Sequence, residues 1–166
     1  YWIKKPDGSW DHDFTPFDKY LDLAAETIGK PNLIRLNCWG EINRKSGKLN
    51  DTGKYVTVKD PESGKLSRIE QPMLGTEESY KFWKPVLDKA LARLKKRGWL
   101  DVTALGHNSY CWVVKPKIVD VAHRIWPEGV WAWTSHSGSM GGKFKGSEPG
   151  VAMRVHWADH IWAPGP

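Results

Sequence analysis

The chain has 166 residues, with 25 Lys and Arg against 19 Asp and Glu, eleven tryptophans, two cysteines and a net charge of +6. That length suits one domain, a 27% charged composition with mean hydropathy of -0.57 excludes a disordered chain, and no apolar run approaches the ~20 residues of a membrane span. Cys38 and Cys111 are too few for a disulfide scaffold or a four-cysteine zinc module. The chain opens Tyr1, Trp2 without Met or signal peptide and stops at Pro166, so it reads as an excised or processed piece.

The first predicted element is a helix over Pro16–Ile28. Thr15 is placed to cap it, Pro16 suits the first helical position, and Asp18 sits as in a capping box. Phe17, Tyr20, Leu21, Ala24, Ala25 and Ile28 recur with the period of one buried face, and Gly29 ends it. Leu33–Trp39 reads as a strand. Residues 54–69 read as a small hairpin insertion, with Tyr55 to Lys59 before the turn residues Asp60 to Gly64. A long helix over Glu77–Arg97 follows, capped by Thr76 and closed by Gly98, with Pro85 expected to kink or split it. Its apolar stripe is Phe82, Val86, Leu87, Leu91 and Leu94. Asp101–Leu105 is the next strand, Lys117–Ile125 a shorter helix, Val130–Thr134 a third strand, and Val151–Trp157 a fourth.

Strands alternating with helices imply an α/β fold of parallel βα units joined by right-handed crossovers. An intact (β/α)8 barrel needs ~250 residues, so four strands are part of a TIM-type barrel or a small open sheet. A leading helix with no strand before it favours the cut barrel. The expectation is therefore a single domain over residues 1–166, a fragment of a larger barrel. Open edges then call for self-association or a partner chain that completes the sheet.

Basic residues concentrate on the long helix (Lys81, Lys84, Lys89, Arg93, Lys95, Lys96, Arg97) and between Arg44 and Lys65. Acids are interspersed in both places, which describes a solvated helix face and a polar loop. Without a basic stripe or groove-reading motif, a nucleic-acid role is not favoured.

In parallel α/β folds the working residues sit at the carboxyl ends of the strands. Those ends carry Trp39 and Glu41, then His107 and Asn108, then His136, then His156, Trp157, Asp159 and His160. Glu41 is a candidate general acid or base, or a solvated loop carboxylate. His107 and Asn108 either hydrogen-bond a substrate or cap the next turn. His156 and His160 are four apart, but His156 falls in a strand and no Glu follows, so no metal is expected. Gly141, Gly142 and Lys143 lack the Ser or Thr of a phosphate loop, and no cofactor is expected. Cys38 and Cys111 are close enough to strand ends for either a bridge or two ordinary thiols.

Tryptophan is the compositional outlier. Trp83 and Trp126 belong to helices and read as core, whereas Trp39, Trp112 and Trp157 fall near strand ends or rim loops. Flat apolar rings with an N–H handle suit stacking on sugar rings, so carbohydrate is the expected partner.

The run Lys5 to Phe14 with Phe17 to Leu21, the hairpin Val56 to Lys65, Gln71 and Pro72, then Leu91, Leu94, Gly98 and Trp99, and finally Ile125 to His136 resemble, in order and spacing, the catalytic domain of glycoside hydrolase 123-like proteins. The resemblance spans nearly the whole chain but only part of that family's barrel. It implies a β-N-acetylgalactosaminidase-like hydrolase in an extracellular or periplasmic setting. It also implies substrate-assisted chemistry, in which an Asp orients the acetamido group and an adjacent Glu protonates the leaving oxygen. No Asp-Glu dipeptide occurs here, and the matching unit reads Gly106, His107, Asn108, Ser109. Glu41 is then the best proton donor and Asp159 the next, with His107 and Asn108 as catalytic orienters. Trp39, Trp112, His136 and Trp157 are the substrate-binding candidates.

Overall fold

In the computed structural model, residues 1–39, 54–108, 116–134 and 153–155 are described. In chain order they form β1 (Trp2–Lys4), β2 (Trp10–His12), α1 (Thr15–Ile28), β3 (Ile34–Trp39), β4 (Tyr55–Lys59) and β5 (Leu66–Glu70). α2 (Glu77–Lys96), a 3-10 turn at Leu100–Val102, β6 (Thr103–Asn108), α3 (Pro116–Ile125), β7 (Val130–Thr134) and β8 (Met153–Val155) follow.

Four of these strands make a parallel sheet in the order β3-β6-β7-β8, matching the chain order expected of successive βα units. The other four make a mixed sheet, β2-β1-β4-β5, that the sequence pattern does not announce. Two strands precede the first helix after all. Pro6, Asp7, Gly8 and Ser9 form the turn between them, with Gly8 at φ +83° and its N–H bonded to the Lys5 carbonyl. The β4–β5 hairpin matches the expected insertion, but it is not isolated, because Val58 pairs in parallel with Trp2.

α2 has well-formed ends. Thr76 Oγ1 accepts from the Ser79 N–H at 3.2 Å, and Glu77 and Glu78 face the positive end of the helix dipole. At the other end Gly98 adopts φ +71°, with Trp99 N–H on the Leu94 carbonyl and Gly98 N–H on that of Lys95. This is the Schellman closure. Pro85 does not split the helix. It lies on the exposed side, so water can satisfy the carbonyl whose partner it removes, while buried Trp83 and Leu87 hold the turns around it.

α1 departs further from expectation. Thr15 is already helical and caps nothing; Asp13 Oδ1 takes the Thr15 N–H at 2.9 Å instead. Asp18 closes no capping box, because its carboxylate is drawn to the Arg93 Nε 3.1 Å away. Only Leu21 of the predicted face is buried, with Phe17 and Ala24 packed beside it, while Tyr20 and Ile28 are 70% and 69% exposed.

Two apolar clusters hold the described residues together. The larger joins Val56 of β4, Trp83 and Leu87 of α2, Leu105 of β6 and Ile118, Val119, Val121, Ala122 and Ile125 of α3. The smaller joins Leu21, Leu94 and Trp99. The mixed sheet docks through aromatics: Trp2 stacks on Phe82 at 5.3 Å and 8°, and meets Trp83 edge-on at 5.3 Å.

The basic face of α2 is not simply solvated. Lys89 pairs with Asp11, Arg93 with Asp18 and Arg97 with Asp22, at 2.7, 3.1 and 2.6 Å. The last two pairs advance by four residues on both helices, which requires α1 and α2 to run parallel.

Candidate functional site

The carboxyl ends of β3, β6 and β7 lie side by side. Trp39 is opposite His107, His107 opposite Trp133, and Asn108 opposite Thr134. A register shift between Asn37 and Trp39 brings Trp39 rather than Cys38 level with His107. A bulge of this kind re-aims a strand end. Trp39, His107 and Asn108 are thus neighbours along one rim by backbone register. Glu41, Trp112, His136, Trp157 and Asp159 lie outside the described residues, as does Cys111.

Just below that rim, β3 shows two unlike faces. Ile34, Leu36 and Cys38 pack with the helix-side clusters, so Arg35 and Asn37 fall on the opposite face. Asn37 is exposed and pairs with Gly106. Arg35 is half-buried, and desolvation lowers its guanidinium from the ordinary value without discharging it. Cys38 is a free thiol that donates to the Leu36 carbonyl at 3.3 Å. Burial pushes it up to about 12, so it stays protonated and is no nucleophile at neutral pH.

A general acid needs a carboxyl raised toward neutrality. Every described carboxyl whose value is displaced moves the other way: Asp7, Asp11, Asp13, Asp60, Glu77, Glu78 and Asp101 are all held low, mostly by hydrogen bonds to the charged form. Among the described residues, no three His, Cys, Asp or Glu side chains converge as a metal-binding group.

Sequence reasoning passed over one polar cluster. His12 ends β2 between Trp2, 5.5 Å away and edge-on, and Phe14, 6.3 Å away. It borders a recess of about 250 Å³ also lined by Tyr1, Asp13, Phe14, Phe17 and Val86. The signal was present in the turn residues Pro6 to Ser9 between two short Trp-bearing segments.

Against known proteins, the family described as "Glycoside hydrolase 123, catalytic domain" matches residues 1–124. Among solved structures, a family 123 glycoside hydrolase from Clostridium perfringens, whose title concerns glycolipid glycan hydrolysis, superposes with a TM-score of 0.58 at 14% identity. The likeness covers 85% of this chain and 24% of that one, so this chain spans about a quarter of the solved protein's length. At that identity the likeness is one of fold. A search of curated proteins found no match.

Proposed function

The chain belongs to the glycoside hydrolase 123 catalytic-domain family, and on that premise we propose that it forms part of a (β/α)8-type barrel whose strand ends engage an amino-sugar-containing glycan. The observation that carries the reading is the register of Trp39, His107 and Asn108 at the carboxyl ends of adjacent parallel strands, where such folds place their substrates. An indole, an imidazole and an amide supply a stacking surface and hydrogen-bond partners for a sugar ring and its acetamido group.

Hydrolysis of N-acetylhexosaminides further requires a proton donor. Glu41, just beyond β3, is the first candidate and Asp159 the second. Lack of an Asp-Glu dipeptide in the sequence favours a second reading, in which this chain binds the glycan without turning it over. Both readings are tested with N-acetylgalactosamine, N-acetylglucosamine and their aryl β-glycosides. Binding should shift tryptophan fluorescence, and Trp39→Ala or Trp157→Ala should weaken it more than Trp83→Ala after correction for lost stability. A general acid contributes typically ~10²–10⁴-fold, so any turnover should fall by that order in Glu41→Gln. Turnover that survives Glu41→Gln and fails in Asp159→Asn moves the role to Asp159. Saturable binding without turnover selects the non-catalytic reading, and no binding of either sugar rejects both.

A further inference from the structure

We propose that His12 is an acid-operated latch, which on gaining a proton releases the β1–β2 hairpin from α2 while the parallel sheet stays folded. The inference is independent of the glycan reading. The hairpin is held on α2 by the Asp11–Lys89 ion pair and by rings, with Trp2 against Phe82 and Trp83, and Trp10 edge-on to Phe82 at 6.4 Å. His12 sits within that seam. Both of its ring nitrogens are shut off from solvent without a hydrogen-bond partner, and so is the neighbouring Trp2 Nε1. A buried polar atom left unpaired costs free energy. Three of them in a hairpin of two three-residue strands make it a natural unit of local opening.

Charge decides the direction. The groups facing the ring are Asp11 on its own strand, which favours the imidazolium, and Lys89 of α2 and the Tyr1 amine, which oppose it. Nearby, Lys59 of β4 is paired with Asp13, and Arg93 of α2 lies over the Phe14 ring at 4.1 Å and pairs with Asp18. Burial is the largest influence and sets His12 at about 4, against an ordinary 6.5. Between these values the open form binds a proton and the closed form does not, so falling pH favours opening. Above 6.5 neither form is protonated, and below 4 both are, so the effect is confined to that window. Asp11, held at about 2, and Asp13, held lower than an ordinary carboxyl, stay ionised throughout it.

Amide hydrogen exchange on the full chain, corrected for intrinsic rates, tests the latch between pH 7 and 4.5. For the amides of Trp2–Lys4 and Trp10–His12, the opening constant should be flat above 6.5. Below it, uptake of one proton raises the constant by up to about tenfold per pH unit. The amides of Ile34–Leu36 and Thr103–Leu105 should not follow. His12→Phe, which replaces the unpaired nitrogens with an apolar ring, and His12→Gln, which cannot titrate, should each abolish the rise. A flat wild-type profile, a rise shared equally by β3 and β6, or a wild-type rise in either folded variant would overturn the proposal.

Discussion

α1 and α2 run parallel, side by side, and carry the same kind of apolar periodicity, yet they are buried to very different degrees. α2 buries Ser79, Trp83, Leu87, Ala90, Leu91 and Leu94, with Leu94 fully enclosed, whereas α1 buries only Leu21. The difference lies in their neighbours. α2 is packed by α1, α3 and the mixed sheet, while among the described residues α1 is covered only on the side that meets α2, β3 and the turn at Trp99 and Val102. Periodicity thus marks the face a helix is able to bury, and the surrounding elements determine how much of it is covered.

Truncation is the most direct way to break this contrast. Leu94→Ala should cost about 2–5 kcal/mol, the range for deleting a buried leucine, whereas Leu23→Ala on α1, 57% exposed, should stay within about 0.5 kcal/mol. Urea denaturation of both variants measures the gap, and equal losses would mean that α1 is covered in solution. Next in size is the tie between α2 and the segment leading into it. The Trp83 indole N–H donates to Gln71 Oε1 at 2.8 Å in a buried setting, so Trp83→Phe should cost about 1–3 kcal/mol beyond the change in packing.

The ion pairs between the helices should matter less. A double-mutant cycle on Asp22 and Arg97 should return about 0.2–1 kcal/mol, shrinking as salt is added, because both groups meet solvent. The pair between Asp11 and Lys89 adds a pH signature: Asp11 is held at about 2, so its contribution is complete above the ordinary carboxylate value and fades as pH falls from there through about 2. Asp11→Asn should flatten that part of the acid-denaturation curve. The smallest effect on stability should come from Tyr20→Ser, within about 0.5 kcal/mol. Sedimentation of that variant sharpens the comparison differently, because a shift toward monomer would show that the uncovered side of α1 meets another copy.

Much of the parallel unit was legible from residues close together in the chain. The 3.6-residue stripe of α2, the Thr76 cap and Gly98 closure, and the β-branched and aromatic run of Val130 to Thr134 each specify their element locally. Alternation of strand and helix then implied parallel order, and β3, β6, β7 and β8 follow it. At the rim, Trp39, His107 and Asn108 could be expected at strand ends, but the shift that sets Trp39 level with His107 is a property of two paired backbones and leaves no local trace.

The mixed sheet was legible only in pieces. Its turns are visible as Pro6 to Ser9 and Asp60 to Gly64, but the pairing of Trp2 with Val58 joins segments more than fifty residues apart. Asp13 and Lys59 are 46 residues apart, and the pairs of Asp18 with Arg93 and Asp22 with Arg97 each span 75. A charge seen along the chain looks solvated until the element bearing its partner arrives, which is why the basic face of α2 read as plain surface. His12 shows the same limit, since a histidine at a strand end is polar surface until Trp2, Phe14 and α2 close around it. Local pattern chose the elements because propensity, capping and turn chemistry act over a few residues. Burial, charge pairing and the setting of the imidazole depended on which distant surfaces met, because desolvation and Coulomb attraction act through space and not along the chain.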